Sequence, residues 1–193
     1  MCYRLILSAS CVVDVIFVID ESTSLTRHES DVTGFLYDVV RKLPVSNDGT
    51  HVSVGLFSTQ SREIFDLDEH TDKTSLLRAI NNIDLQGGGG EINAGLSYAV
   101  NDAMTKAAGD RPEAPNVVIV MTDDGTRSSS TLRSLEDQLQ QMSDNVIAVE
   151  IGHVTFNHLS TDSRHEFHLR DTHSLDSIIN SVSGLICPSG SFP

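Results

Sequence analysis

The sequence has few basic residues, and this scarcity excludes several classes of partner. Among its 193 residues, 13 are Lys or Arg and 27 are Asp or Glu, which gives a formal net charge of −14. Binding to nucleic acid depends on clustered basic side chains that neutralise phosphates. Binding to an anionic membrane surface depends on the same groups. The composition therefore argues against both partners, and we expect most of the acidic excess to be a solvated surface.

Long apolar runs are also missing. No run approaches the roughly 20 residues that a transmembrane helix needs, so we expect no direct insertion into a membrane. Residues 1–10 resemble a fragment of a secretion signal, because Arg4 precedes a short apolar run and small residues follow it. That run is shorter than the roughly 7–15 apolar residues of a signal core. We interpret residues 1–12 as an N-terminal extension or the remnant of a leader.

Cysteine is scarce and lies only near the two ends of the chain. The three cysteines are Cys2, Cys11 and Cys187. One interpretation is three free and unrelated thiols. The other is a disulfide between two of them, which would persist only in an oxidising compartment.

The length and the order of the predicted elements indicate one domain. A chain of 193 residues is long enough for one domain with a hydrophobic core. Strand-like runs alternate with apolar stripes at helical spacing, which predicts βαβ crossovers and a parallel sheet between helices. We expect a doubly wound α/β fold with a mostly parallel six-stranded sheet, one antiparallel edge strand and helices on both faces. The predicted strands are residues 15–19, 51–57, 62–67, 117–122, 146–151 and 165–169. We place the domain at residues 13–187 and a tail at 188–193.

A polar run directly after the first predicted strand is the most informative feature of the chain. Residues 15–19 (VIFVI) are typical of a strand buried on both faces of a parallel sheet. Asp20, Ser22 and Ser24 follow at alternate positions, at the edge where open α/β folds keep their binding crevices. Their carboxylate and hydroxyl oxygens are hard donors, which suit Mg²⁺, Mn²⁺ or Ca²⁺ better than zinc.

A second apolar strand ends in a similar acidic loop. Residues 117–122 (VVIVMT) lead into Asp123-Asp124-Gly125. If the two strands are neighbours in the sheet, Asp20 and Asp123 come close together. Hydroxyl and carboxylate residues after a strand are also common as turn formers and helix caps, so either loop alone is weak evidence for a metal site.

Together the two loops resemble the metal-ion-dependent adhesion site of the von Willebrand factor type A family, the integrin I-like domains of extracellular type. That family has Asp-x-Ser-x-Ser after its first strand and Thr-Asp-Gly after its fourth. The resemblance covers residues 13–185, and the fold it implies is the doubly wound one predicted above. It also implies that Ser22 and Ser24 bind a divalent cation directly. Asp20 and Asp123 would supply charge to that cation, directly or through a water.

The same resemblance implies a function. We expect a secreted adhesion or matrix-binding module, not an enzyme, that holds Mg²⁺, with Mn²⁺ and Ca²⁺ as the other candidate ions. One coordination position would stay open for an acidic side chain of a protein ligand, such as collagen or another matrix protein. Many extracellular members join their termini by a disulfide, which implies a bond between Cys11 and Cys187.

The chain departs from the family pattern at two places. The family has a Thr ligand on a third loop, and this position falls on Gly90, which has no side chain to offer. The neighbouring Glu91 could reach the ion instead, or it could lie in the first turn of a helix, where an acidic group suits the dipole. Asp124 stands where the family has Gly, and Gly125 comes one place later. Asp124 is therefore either a group near the ion or an exposed one.

Two other functions remain open at this point. The missing threonine favours a structural assembly module with a degenerate metal site. A metal-dependent hydrolase or phosphotransferase would also use carboxylates at strand ends, but the sequence offers no nucleophile or general base beyond the ligands.

Overall fold

A computed structural model of the protein describes residues 11–124, 129–153 and 158–188, and six strands in these ranges form one sheet. The order across the sheet is β3-β2-β1-β4-β5-β6. β3 is antiparallel to β2, and each other neighbouring pair of these strands is parallel. The predicted doubly wound α/β fold is confirmed. The strands are β1 (Asp14–Asp20), β2 (His51–Phe57), β3 (Ser61–Phe65), β4 (Asn116–Thr122), β5 (Asn145–Ile151) and β6 (Glu166–Leu169).

Six α-helices accompany the sheet within the described ranges. They are α1 (Thr23–Thr26), α2 (Glu29–Lys42), α3 (Lys73–Asn81), α4 (Ile92–Tyr98), α5 (Ser130–Met142) and α6 (Ile179–Ile186). Short 3₁₀ helices lie at Lys106–Ala108 and Thr172–Ile178, and a π-helical turn at Ala99–Ala103 continues α4. In that turn the amide of Met104 donates to the carbonyl of Ala99 (3.2 Å). The apolar stripe predicts one continuous helix here, because such a stripe does not distinguish an α turn from a π turn.

The edge strand is shorter than the sequence predicts. The alternating pattern predicts a strand over residues 62–67, whereas β3 ends at Phe65. Beyond that point the amide of Leu67 donates to the carbonyl of Ala108 (3.1 Å). The chain therefore leaves the sheet because this loop, rather than β2, supplies the hydrogen-bond partner.

The central strand β1 is buried along its whole length, as its unbroken apolar run predicts. Alternate residues pack into two separate cores: Phe17 belongs to the core formed with α2, α3 and α6, and Val18 belongs to the core formed with α4 and α5. The sheet thus has helices on both faces, and its carboxyl edge is left for loops.

The amino end of β1 is held by a buried ion pair. Asp14 is fully buried, and its carboxylate accepts hydrogen bonds from the side chain of Arg111 at 2.6 and 2.8 Å and from the backbone amide of Arg111 at 2.9 Å. The same guanidinium donates to the carbonyls of Val13 (3.1 Å) and Gly49 (2.9 Å). Arg111 therefore joins three segments at the end of the sheet opposite the loops after β1 and β4.

A disulfide joins Cys11, before β1, to Cys187, after α6, with the two Cα atoms 5.8 Å apart. The pairing that the family resemblance implies is therefore present in the structure. The bond closes a loop that contains the whole sheet.

Removing this disulfide should destabilise the domain. In the Cys11→Ser/Cys187→Ser variant we expect the free energy of unfolding to fall by about 2–4 kcal/mol, because the unfolded chain gains the freedom that the cross-link removes. Urea denaturation would measure the change, with Cys2→Ser as the matched control. An unchanged midpoint in the double variant would contradict the prediction.

Candidate metal centre

The structure brings Ser22, Ser24 and Asp123 together at the carboxyl ends of β1 and β4, which are neighbours in the sheet. Ser24 Oγ donates a hydrogen bond to Asp123 Oδ1 at 3.0 Å, and Ser22 Oγ donates to the same oxygen at 3.3 Å. The two hydroxyl oxygens are 3.0 Å apart. Three oxygen donors from two distant loops therefore converge on one point.

Asp20 lies behind this group rather than beside it. It is fully buried, and one carboxylate oxygen accepts from the amide of Ser22 (2.7 Å) while the other accepts from the hydroxyl of Thr122 (2.6 Å). Burial raises the pKa of Asp20, and the hydrogen bonds from Thr122 and Ser22 partly offset that rise. Asp20 is therefore placed to orient the Ser22 loop and to contribute negative charge from beneath it.

The converging oxygens lie in an open cleft of about 280 Å³ with a mostly polar lining. Glu91 is not part of the lining: it is exposed, it precedes the first residue of α4, and its side chain makes no capping hydrogen bond. The structure thus places Glu91 outside the cleft and at the start of α4, next to the first turn considered from the sequence. The lining residues are Ser22, Thr23, Ser24, Gly88, Gly90, Asp123 and Asp124.

The two residues that depart from the family pattern, Gly90 and Asp124, lie so close that a side chain at position 90 would overlap Asp124. A Cβ atom on Gly90 would lie 2.5 Å from Asp124 Oδ2 and 2.7 Å from Asp124 Cβ, well inside contact distance. The Asp124 carboxylate therefore stands where a side chain at position 90 would begin. Gly125, the glycine displaced by one place, lies outside the described residues.

Thr23 hydrogen-bonds the glycine-rich segment, residues 87–90, to the loop after β1. Its position between the two serines does not predict this role. Its amide donates to the carbonyl of Gly88 (3.1 Å), and the amide of Gly88 donates to its hydroxyl (3.1 Å). Gly88 has φ of +130°, and a Cβ there would lie 2.8 Å from Ser58 Oγ. Glycine is needed at this position for both reasons.

Glu21 also supports the loops around the cleft, a role that its position in the sequence does not indicate. Its side chain is buried and accepts two hydrogen bonds from Arg62 on β3, at 2.9 and 2.8 Å, and one from the amide of Gln86 at 3.0 Å. Glu21 therefore holds the first loop against both the edge strand and the segment that leads to Gly90. In the sequence, Glu21 is a single acidic residue at a variable position of the motif, and no spacing distinguishes it from other acidic residues.

The donor set is chemically suited to a hard divalent cation. An octahedral Mg²⁺ with oxygens at 2.0–2.1 Å has adjacent oxygens about 3.0 Å apart. The three oxygens of Ser22, Ser24 and Asp123 are separated by 3.0, 3.0 and 3.3 Å. With small adjustments they could form one face of such an octahedron, and the open side of the cleft leaves room for the remaining ligands.

Comparison with known proteins identifies the same family that the two loops resemble. A family model for the von Willebrand factor type A domain matches residues 14–180. Matrilin-1 of Bos taurus is 27% identical over 144 residues, which cover 73% of this chain and 26% of matrilin-1. The von Willebrand factor of Rattus norvegicus is 31% identical over 146 residues, which cover 74% of this chain and 32% of that protein. The chain thus spans a third or less of these relatives.

Solved structures of proximal thread matrix protein 1 from the mussel byssus share the fold. One superposes with a TM-score of 0.85 at 21% identity, covering 92% of this chain and 49% of that chain. Another, described as having a zinc occupied MIDAS motif, superposes with a TM-score of 0.84 and covers 48% of that chain. Within the described part of the present chain, the helices are too short or too polar to cross a membrane.

Proposed function

Because the chain belongs to the von Willebrand factor type A domain family, we propose that it is an adhesion or matrix-binding module whose cation site contacts a protein partner. Its location is extracellular, as it is for matrilin, vitrin and von Willebrand factor. The disulfide between Cys11 and Cys187 agrees with this location, because such bonds persist in oxidising compartments. The matched relatives are much longer than this chain, so the proposal does not extend to their wider activity.

The cation ligands in this proposal are Ser22, Ser24 and Asp123, with Asp20 acting from behind through the Ser22 loop. The observation that carries the proposal is the convergence of both hydroxyls on Asp123 Oδ1, at 3.3 and 3.0 Å. The oxygen spacing is compatible with an octahedral Mg²⁺, which we propose as the ion. Mn²⁺ and Ca²⁺ are the other candidate ions, since both also bind oxygen ligands.

We also assign Asp124 to the site, as the group that replaces the missing side chain at position 90. Its carboxylate lines the same cleft, and within the described chain it accepts no hydrogen bond that would hold it elsewhere. Two carboxylates balance a divalent ion, so a third makes the loaded site more negative. The cation should then bind more tightly, and an acidic group on a partner should bind less tightly.

The bound cation would supply an electrophilic centre with a free position on the open side of the cleft. The partner in this proposal is a matrix protein, collagen among the candidates, that offers an acidic side chain to this position. Asp124 competes with that side chain electrostatically, so partner binding should be weaker than in a site with threonine on the third loop. We propose no catalytic role, since the carboxylates in the described part of the cleft lining, Asp123 and Asp124, are both assigned to the cation site.

Cation binding tests the proposal directly. Calorimetric titration with Mg²⁺, Mn²⁺ and Ca²⁺ should give one binding event in the wild type, and Asp123→Ala should weaken it at least about 10-fold because a ligand and its charge are lost. The matched control is Asp48→Asn, which removes one exposed charge before β2, at the opposite edge of the sheet. Equal affinity in the wild type and Asp123→Ala would place the ion elsewhere.

The alternative function is a structural assembly module with a degenerate site. The observation that favours it is Gly90, which leaves the third loop without a side-chain ligand. No heat of binding at millimolar Mg²⁺, Mn²⁺ or Ca²⁺ would support this alternative over the adhesion module.

A further inference from the structure

Two histidines and one aspartate meet on the surface where α2 begins and where the segment leading to α6 begins. His28 directly precedes α2, Asp31 lies in its first turn, and His173 lies in the 3₁₀ helix Thr172–Ile178. Each residue offers one ligand atom, and the three atoms all lie within 4.8 Å of one another. None of these residues belongs to the cleft at the ends of β1 and β4.

We propose that His28, Asp31 and His173 form a second metal site, specific for Zn²⁺ over Mg²⁺, Ca²⁺ and Mn²⁺. Imidazole nitrogen and carboxylate oxygen are common zinc ligands, whereas Mg²⁺ and Ca²⁺ prefer oxygen alone. Three protein ligands are also the number that leaves one position of a tetrahedral zinc open. This site is independent of the proposed adhesion function.

The carboxylate is the fixed centre of the cluster. Asp31 Oδ2 accepts a hydrogen bond of 2.6 Å from the hydroxyl of Thr172, which is itself buried. The same oxygen is 3.8 Å from His28 Nδ1 and 4.0 Å from His173 Nδ1. The two imidazole rings lie edge to face, with their centroids 5.9 Å apart. Thr172 thus orients the ligand that both histidines face, in the manner of the outer groups that orient metal ligands.

The ligand atoms must move together to hold zinc. Ligand atoms at about 2.1 Å from a tetrahedral ion are about 3.4 Å apart, against 3.8 and 4.0 Å from the Asp31 oxygen to the two imidazoles and up to 4.8 Å between any two of the three. The histidine side chains are 43% and 76% exposed, so their torsions can supply this movement without disturbing the core. Asp31, in contrast, is 27% exposed and does not need to move.

Charge around the cluster also favours a cation. Asp31 and His173 line a cleft of about 270 Å³ together with Asp38 and Asp176. Asp38 is paired with Arg41 at 2.9 Å, whereas for Asp176 the described structure holds no counter-ion. Acidic groups in a concave surface raise the local concentration of cations.

A metal at this site would connect two parts of the chain that are far apart in sequence. His28 and Asp31 hold the start of α2, and His173 precedes α6, so one ion would cross-link the first long helix to the terminal helical segment. An ion that binds only the folded state stabilises it by mass action. Zn²⁺ should therefore raise the melting temperature of the domain.

Zinc titration in the presence of excess Mg²⁺, added to fill the cation site proposed at Ser22 and Asp123, tests the proposal. In the wild type we expect one Zn²⁺ to bind by calorimetry and the melting temperature to rise with zinc concentration. His28→Ala/His173→Ala should bind Zn²⁺ about 100-fold more weakly or worse, since both nitrogen ligands are lost. The matched control, His153→Ala/His158→Ala, removes two exposed histidines outside the cluster and should bind zinc as the wild type does.

A second variant separates the two sites. Asp123→Ala should retain the Zn²⁺ response, whereas Asp31→Asn should weaken it because the neutral amide is a poorer ligand than the carboxylate. Equal zinc affinity in the wild type and in His28→Ala/His173→Ala would overturn the proposal. The absence of any zinc binding by the wild type would overturn it as well.

Discussion

Replacing Gly90 with threonine should weaken cation binding by roughly 10- to 100-fold while Asp124 is present, the loss typical when the surroundings of a metal ligand are disturbed. The new Cβ would lie 2.5 Å from Asp124 Oδ2 and 2.7 Å from Asp124 Cβ. Rotating the carboxylate relieves the first contact but not the second, because the Cβ of Asp124 moves only with its backbone. That backbone follows Asp123, so the displacement reaches the cation ligand itself.

The double variant Gly90→Thr/Asp124→Gly should recover the affinity that Gly90→Thr loses. It removes the carboxylate that fills the space and restores a hydroxyl on the third loop. Calorimetry with Mn²⁺ on the wild type, both single variants and the double variant gives the coupling between the two positions, which we expect in the range of about 1–3 kcal/mol. Gly89→Thr is the matched control, because a Cβ on Gly89 meets its nearest neighbour, Thr59 Oγ1, at an ordinary 3.4 Å. Additive effects of the two single changes would show that Asp124 does not stand in for a side chain at position 90.

Arg111→Ala should lower the free energy of unfolding by about 3–5 kcal/mol, the cost of leaving a buried charge without its partner. Asp14 is fully buried, and the variant loses the two hydrogen bonds that the guanidinium donates to it, whereas the bond from the backbone amide at position 111 is kept. The substitution also removes the hydrogen bond that the guanidinium donates to the Gly49 carbonyl, whereas the Val13 carbonyl keeps the bond from the amide of His51. Urea denaturation followed by circular dichroism would measure the loss.

Two further variants test whether the buried, unpaired charge causes that loss of stability. Asp14→Leu/Arg111→Leu should be much less destabilising than Arg111→Ala, since no uncompensated charge remains in the interior. Arg164→Ala breaks an exposed ion pair with Asp162, in which the arginine side chain is 80% exposed, and should change stability little. If Arg111→Ala behaved like Arg164→Ala, the buried pair would not hold the amino end of β1.

The sequence predicts the sheet well because its four inner strands, β1, β2, β4 and β5, are buried almost throughout. A run such as residues 15–19 is apolar throughout, and few other structures explain it. The prediction is less accurate where a local choice depends on partners far along the chain. The end of β3 is set by the Ala108 carbonyl, which is distant in the sequence. The π turn after α4 is missed for a different reason, since it gives the same apolar stripe as an α turn.

The candidate site likewise divides into residues that the strand ends predict and residues whose roles depend on contacts between loops. The ends of two strands predict that four residues meet, because neighbouring parallel strands bring their loops to one edge of the sheet. These residues are Asp20, Ser22, Ser24 and Asp123. The roles of Glu21 and Thr23 depend on Arg62 and Gly88, which no local pattern connects to them. The steric relation between Gly90 and Asp124 is likewise a contact between loops, so the sequence presents them as two unrelated departures.

The position of the disulfide decides how the domain responds to mechanical tension. Cys11 and Cys187 are joined at the amino end of the sheet, and the cation ligands lie at its carboxyl end. A pulling force applied to the backbone outside these two cysteines passes through one covalent bond and does not load the hydrogen bonds between strands. The cleft would thus keep its shape under a load that would unravel a domain without this cross-link.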